Sequence, residues 1–215
     1  MSTRTRIKIC GVSRPEDIAA AVDAGADAVG FVFHPGSPRH VTVAQAAALA
    51  RELPPYVTPV GLFVNAEPAL ISAVAGSIPA LVLQFHGDET PAQCAAAGRP
   101  YMRAARMEPG FDLLDFACRF SEAQGLLLDA HVEAFGGSGK VFDWSLVPRG
   151  VPHRLVLSGG LHAGNVGSGI RELRPWAVDV SSGVESSRGV KDAAAIHAFC
   201  DAVREADLRI EASVS

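Results

Sequence analysis

The sequence lacks the features that mark several special classes of protein. No apolar run approaches the roughly 18 residues that a membrane-spanning helix needs. The net charge is only −4 and no run of basic residues occurs, so we expect neither a nucleic acid nor a membrane as partner. Cysteine is scarce, and its scatter fits neither a zinc spacing nor a dense disulfide framework; the four residues are Cys10, Cys94, Cys118 and Cys200.

The amino-terminal residues also lack a secretory signal. The segment MSTRTRIKIC contains two arginines but no apolar stretch of the length that a signal has. Hydrophobic residues make up 48% of the chain and charged residues 20%, which is ordinary for a globular protein. We therefore expect a cytoplasmic protein with reduced cysteines that folds around its own core.

Eight short apolar segments recur along the chain. Several are apolar at consecutive positions, which is typical of strands in a parallel sheet covered on both faces. The segments are TRIKIC, DAVGFVF, VTPVGLFV, ALVLQF, PYMRAA, GLLLDA, HRLVLSG and WAVDVSSG. Alanine-rich segments with helical periodicity separate most of them, and these carry start signals such as Pro15 and Thr42.

This alternation predicts one α/β domain over residues 1–215, a (β/α)8 TIM barrel. The alternative is an open doubly wound sheet, but that fold usually has a glycine-rich fingerprint after its first strand, and CGVSRPED has a single glycine. The helical pattern is weakest over 110–120, and FDWSLVP predicts only a single turn before the seventh strand. The last helix is expected over roughly 191–206.

Glycine- and serine-rich loops follow the seventh and eighth strands. Such loops let backbone N–H groups approach a ligand closely, and a phosphate site at this position recurs in barrels. Either loop alone could equally be a flexible turn, but the two together favour a phosphate. The corresponding ends in the first half lack such loops, so we expect one phosphate site. Its candidate residues are Ser158, Gly159, Gly160, Ser181, Ser182 and Gly183.

The first strand ends on Cys10, directly before Gly11. Strand alternation places Lys8 and Cys10 on one face, and we expect that face to point into the barrel. A buried lysine needs a carboxylate partner, for which Asp179 on the neighbouring eighth strand is the candidate. The nearby lysine would lower the pKa of Cys10 below about 8.5 and make thiolate available. The alternative is an inert packing cysteine.

Asp129 ends the sixth strand and lies across the predicted barrel from Cys10. It follows three leucines, and an apolar setting would keep a carboxyl protonated near neutral pH, where it can act as a general acid. A solvated aspartate that caps a turn is the alternative. Every histidine except His86 is expected at the surface or in a turn; His34 is one of these.

Six groups of motifs occur in order along the chain: KICGVSRPED, GADAVGFVFHPGSPRHV, LVLQFHGDE, LLLDA followed by GGSGKVFDW, LSGGLHAGNV, and DVSSGVESSRGVKD. Together they resemble the phosphoribosylanthranilate isomerase family of tryptophan biosynthesis. The resemblance implies a (β/α)8 barrel that converts a small phosphosugar, N-(5-phosphoribosyl)anthranilate, to 1-(2-carboxyphenylamino)-1-deoxyribulose 5-phosphate. It implies no metal and no organic cofactor for this Amadori rearrangement.

The resemblance also implies roles for single residues. Cys10 matches the general base and Asp129 the general acid, while Arg39 matches the arginine that meets the anthranilate carboxylate. The glycines and serines of 158–160 and 181–183 match the phosphate site. Further substrate-binding positions of the family correspond to Gln84, His86 and Asp179. Departures such as Ala163 and Phe85 touch none of the proposed acid, base or phosphate groups.

Two alternatives stay open beside this interpretation. One is the analogous isomerase family of histidine biosynthesis, whose barrel has aspartate at the end of the first strand and phosphate loops in both halves. This chain has neither feature. The other is a catalytically inactive barrel that serves as a phosphometabolite-binding or scaffold protein. We expect a monomer or a weak homodimer.

Overall fold

The computed structural model describes residues 4–130 and 141–214 and contains a closed barrel of eight parallel strands. Each strand pairs with the next, and β8 pairs with β1 to close the ring. The predicted TIM barrel is therefore confirmed against the open sheet. The strands are β1 (Arg6–Cys10), β2 (Ala28–Val32), β3 (Thr58–Phe63), β4 (Val82–Phe85), β5 (Tyr101–Met107), β6 (Gly125–Ala130), β7 (Arg154–Leu157) and β8 (Ala177–Val180).

Seven helices are found on the outside of the barrel in the described parts of the chain. They are α1 (Pro15–Asp23), α2 (Val43–Ala50), α3 (Pro68–Ser77), α4 (Pro91–Ala96), α5 (Leu113–Arg119), α6 (Val166–Leu173) and α7 (Ala193–Val214). A single 3-10 turn, Trp144–Leu146, precedes β7 as FDWSLVP predicts. After β8 a short hairpin forms from β9 (Glu185–Ser187) and β10 (Val190–Lys191). None of these helices is apolar over enough length to cross a membrane.

Local signals explain where most helices begin. Thr42 accepts a hydrogen bond from the Gln45 N–H in a capping box, and Thr90 does the same for Gln93. The weakly patterned segment 110–120 still forms α5, because Asp112 caps it and three apolar residues bury its inner face. Helix α7 is longer than the predicted 191–206: its amino end is capped by Asp192, and its helical structure continues to Val214.

Inside the barrel, a separate cluster of buried apolar side chains lies toward the end where the strands begin. Ala104, Leu127, Val156 and Ala177 form this inner cluster, with Trp176 packed against it. The guanidinium groups of Arg6 and Arg154 lie over the Trp176 ring at 3.5 and 4.4 Å from its centroid. The open space of the barrel is therefore confined to the other end, where the strands finish.

Candidate active site

A cleft of about 960 Å³, including its open mouth, lies at the carboxyl ends of the strands. It brings together every predicted site residue except Gly183, although these residues are spread over most of the chain. The predicted residues that line it are Cys10, Arg39, Gln84, His86, Asp129, Ser158, Gly159, Gly160, Asp179, Ser181 and Ser182.

Lys8, Cys10 and Asp179 form one buried cluster where β1 meets β8. Lys8 Nζ lies 2.7 Å from Asp179 Oδ1, so the predicted ion pair is present. Burial lowers the pKa of Lys8, but the Asp179 carboxylate and hydrogen bonds to Asp179 and Cys10 outweigh that effect and raise it overall. Gly30 on β2 leaves room for the cluster, because a Cβ there would lie 2.8 Å from Cys10 Sγ and 3.1 Å from Lys8 Nζ.

The expected lowering of the Cys10 pKa is wrong. Burial raises the pKa of the thiol, and the attraction of Lys8 offsets this only in part. Asp179 lies beside the same lysine and repels a thiolate, so it offsets much of the stabilisation that Lys8 gives to the Cys10 thiolate. In the ligand-free protein Cys10 therefore holds its proton at neutral pH, although it lines the cleft.

Gly11 follows Cys10 because Arg39 lies across the end of β1. Gly11 has a φ of +76°, and a Cβ at this position would overlap Cδ of Arg39. Arg39 is held by Glu185, whose two carboxylate oxygens lie 2.6 Å from Nε and 2.8 Å from Nη2. The arginine that the family resemblance assigns to the carboxylate is thus buried and fixed in orientation before any ligand arrives.

Glu185 and Lys191, which the sequence reasoning missed, connect Arg39 to the loop after β8. Lys191 Nζ lies 2.8 Å from Glu185 Oε1 and donates to the backbone oxygen of Ser181 at 2.9 Å. Burial opposes ionisation of Glu185, but hydrogen bonds from Arg39 and Lys191 outweigh this effect and lower its pKa to about 2. Burial lowers the pKa of Lys191, and Glu185 counters this only in part. The only sequence signal was their place in the motif ESSRGVK.

We expect Glu185→Gln to destabilise the protein by about 3–5 kcal/mol, because it leaves Arg39 and Lys191 buried with an uncompensated positive charge. Denaturant unfolding measures this. The carboxylate of Glu185 stabilises the fold fully above its usual pKa of 4.5, and this contribution is lost as the pH falls toward about 2. The variant should lack that acid-dependent loss.

The matched control for that experiment is Glu205→Gln, which breaks an exposed pair with Arg209 on α7. It should cost less than about 1 kcal/mol. Equal stabilities of the two variants would contradict the structural role given to Glu185.

Asp129 lies in a more polar setting than its three preceding leucines indicate. Its Oδ2 is 2.9 Å from Nε2 of His86, its Oδ1 accepts the Ala130 N–H, and about a quarter of the side chain is exposed. Nδ1 of His86 is in turn 3.1 Å from Nε2 of the buried Gln84. The polar pair at the end of β4 therefore contacts the candidate acid directly.

The two glycine–serine loops, 158–160 and 181–183, form one wall of the cleft. Gly159 and Gly160 have φ values of +80° and +65°, and a Cβ at Gly159 would lie 2.6 Å from the Ala130 nitrogen. Gly183 is the one predicted phosphate-site residue that the cleft lining does not include. It packs against the other loop, since its Cβ would overlap the Leu161 carbonyl oxygen.

Gly183→Ala should push the two glycine–serine loops apart and weaken the binding of inorganic phosphate about tenfold, the equivalent of about 1.4 kcal/mol. The measurement is the dissociation constant of inorganic phosphate from the purified protein. Gly76→Ala on α3 is the control, because a Cβ there meets nothing within 4 Å. Unchanged phosphate affinity in Gly183→Ala would separate this glycine from the phosphate site.

Two further cavity residues were not assigned from the sequence. His34, expected at the surface or in a turn, lines the cleft because the loop after β2 folds over its mouth, and Arg106 enters it from β5. Residues 131–140 lie outside the described residues; they include His131 and the GGSGK part of the motif GGSGKVFDW. The described residues contain no group of three or more metal-ligating side chains.

A barrel with a thiol, a carboxyl–imidazole pair, a fixed arginine and two glycine–serine loops around one cleft defines a (β/α)8-barrel enzyme built for small phosphorylated anions. The family model described as N-(5'phosphoribosyl)anthranilate (PRA) isomerase matches residues 7–202. The chain belongs to this family.

Named relatives agree with that assignment. The N-(5'-phosphoribosyl)anthranilate isomerase of Methylibium petroleiphilum is 70% identical over 98% of this chain and 99% of its own length. The crystal structure of phosphoribosyl anthranilate isomerase from Thermotoga maritima is 42% identical, with a TM-score of 0.84 over 94% of this chain and 99% of that one. A structure in complex with reduced 1-(o-carboxyphenylamino)-1-deoxyribulose 5-phosphate is 39% identical, with a TM-score of 0.81 and coverage of 94% and 99%.

Proposed function

We propose that this protein catalyses the Amadori rearrangement of N-(5'-phosphoribosyl)anthranilate to 1-(2-carboxyphenylamino)-1-deoxyribulose 5-phosphate in tryptophan biosynthesis. The observation that carries the proposal is the convergence of Cys10, Asp129 and Arg39 with the two glycine–serine loops on one cleft. The relative that was crystallised with the reduced product analogue shares this fold.

The two ends of the substrate are anionic and would be bound at separate places. The phosphate would lie against the two glycine–serine loops, where glycines allow backbone N–H groups to approach it. The anthranilate carboxylate would meet Arg39, which Glu185 holds in place. Binding energy from these remote groups can orient the reacting carbons between Cys10 and Asp129.

The chemistry needs one proton donor and one proton acceptor. Asp129 protonates the ribose ring oxygen, the bond from that oxygen to C1 breaks, and C1 becomes part of a protonated Schiff base. Cys10, which the ligand-free protein holds as a thiol, first loses its proton to solvent; as thiolate it then removes the proton from C2, and an enolamine forms. The enolamine gains a proton at C1 and loses the hydroxyl proton at C2, which gives the ketone and restores the thiolate of Cys10 and the protonated carboxyl of Asp129.

The same cleft bears on the two alternatives. In the described residues, the glycine–serine loops occur only in the second half of the barrel, which favours a substrate with one phosphate over one with two. A barrel that only binds a phosphometabolite would have no need of a thiol and a carboxyl at the same cleft. Cys10 and Asp129 therefore favour an enzyme.

We further propose that the chain 1–215 works as one domain in the cytoplasm, as a monomer or a weak homodimer. In the described parts of the chain, only four large apolar side chains are exposed, and they are far apart along the sequence: Tyr56, Leu114, Val141 and Leu208. Light scattering at micromolar concentration tests the oligomeric state.

The test of the main proposal is a turnover assay. Purified protein mixed with freshly generated N-(5'-phosphoribosyl)anthranilate should remove the anthranilate fluorescence of that substrate with saturation kinetics. No loss of fluorescence at micromolar protein would overturn the proposal, and it would leave the inactive binding barrel as the better interpretation.

A further inference from the structure

Gln84, His86 and Asp129 form a line of three side chains along one wall of the cleft. Asp129 is joined to His86 Nε2 at 2.9 Å, and His86 Nδ1 is joined to Gln84 Nε2 at 3.1 Å. Gln84 is fully buried on β4, and within the described residues its Oε1 has no hydrogen-bond partner. The Gln84 amide thus bonds through its nitrogen and not through its oxygen. This needs an explanation, because burying an unpaired carbonyl oxygen costs stability.

The hydrogen-bond pattern allows one arrangement of protons when Asp129 is ionised. A carboxylate only accepts, so Nε2 of His86 must carry the ring proton, and Nδ1 is left as an acceptor for the Gln84 amide N–H. If the Gln84 amide turned over, its Oε1 would face Nδ1 and draw the ring proton there. The lone pair of Nε2 would then face the carboxylate, which is repulsive. In the amide orientation observed, Gln84 therefore favours the tautomer of His86 that donates to Asp129.

The surroundings keep this line of contacts rigid. The loop that carries His86 is fixed by the buried Arg103, which donates to the backbone oxygens of Phe85 and Gly87 at 2.9 Å each. Glu89 in the same loop accepts the Gly87 N–H. His86 thus faces Asp129 from a loop with little freedom to move.

We propose that Gln84 and His86 are positioning residues that act through Asp129: Gln84 keeps the His86 proton on Nε2, and that N–H orients the Asp129 carboxyl and stabilises the carboxylate left when its proton goes to the substrate. The inference rests on the proposed function, in which Asp129 is the general acid. Because this hydrogen bond strengthens as charge forms on Asp129, it lowers the barrier of the proton transfer more than it aids substrate binding.

Gln84→Met removes the amide at nearly constant volume. We expect kcat to fall about tenfold to a hundredfold, as for other groups that orient a catalytic residue, with KM within about twofold. The matched control is Gln93→Met, which removes an exposed capping glutamine from α4 and should leave kcat unchanged. A raised KM at constant kcat would overturn the proposal, since it would mean that Gln84 binds the substrate directly.

A double-mutant cycle separates this role from a general structural one. In the Asp129→Asn background, Gln84→Met should cost less than about a further twofold, because the residue through which it acts is already disabled. The same fold loss in both backgrounds would contradict the proposal. His86 gives a second route: His86→Gln keeps a donor and should lose less kcat than His86→Leu, and equal losses would contradict the role of the N–H.

The tautomer itself can be measured without any assay. Nitrogen-15 NMR of the ligand-free wild-type protein at alkaline pH, the condition for an ionised carboxyl at Asp129, should show the neutral His86 ring protonated at Nε2, with the signal assigned by its absence in His86→Gln. In Gln84→Met the two tautomers should mix. A wild-type ring protonated at Nδ1 would overturn the inference even if the enzyme is active, whereas an Nε2 proton in an inactive protein would place the failure in the proposed function.

Discussion

Cys10→Ser is expected to lower kcat about a thousandfold, with KM changed only a few-fold. The physical reason is that a hydroxyl gives up its proton far less readily than a thiol and is a poor base at neutral pH, whereas the size of the side chain barely changes. A positioned base contributes about 10² to 10⁴ in rate, and a thousandfold loss corresponds to about 4 kcal/mol of transition-state stabilisation. Steady-state kinetics with N-(5'-phosphoribosyl)anthranilate measure both constants.

The control for this variant is Cys94→Ser, which places the same hydroxyl at a buried position on α4 outside the cleft. It should reduce stability but leave kcat near the wild-type value. Wild-type kcat in Cys10→Ser would remove Cys10 from the mechanism.

Asp129→Asn is expected to have an effect of similar size, again about a thousandfold in kcat. The amide keeps the shape and can still face His86, but it holds no acidic proton for the ribose ring oxygen. Asp115→Asn, on the exposed face of α5, is the control and should leave kcat unchanged. If Asp129→Asn raised KM while kcat stayed constant, Asp129 would be a binding residue and the donor would have to be another group.

Strand periodicity was sufficient to predict the innermost part of the site. Alternation along β1 put Lys8 and Cys10 on the inner face, and closure of the barrel put β8 beside β1. The ion pair between Lys8 and Asp179 follows from those two facts, and the structure confirms it at 2.7 Å. Similarly, the ends of β7 and β8 had to be neighbours, so their glycine–serine loops were predicted to form one phosphate site.

The loop contacts could not be predicted in the same way. Arg39 and Glu185 are 146 residues apart and meet only because the hairpin after β8 folds against the loop after β2. Neither loop has a periodicity that fixes where its side chains point. His34 opens a turn, as expected, but its place in the cleft lining depends on how that loop crosses the mouth of the cleft.

The direction of the Cys10 pKa shift was a different kind of failure. The neighbours of Cys10 were identified correctly, but the sign depends on a balance between burial, Lys8 and Asp179. Once Asp179 neutralises Lys8, the burial of the thiol decides the outcome. Sequence pattern identifies the groups in such a cluster but not their net effect.

The most direct test of the central claim compares single turnovers of N-(5'-phosphoribosyl)anthranilate carrying hydrogen or deuterium at C2. Cys10→Ser should be slower than the wild type, and deuterium should slow it further, because removal of the C2 proton limits a protein whose base is impaired. Equal rates for the two isotopic substrates in both proteins would contradict the claim that Cys10 takes that proton.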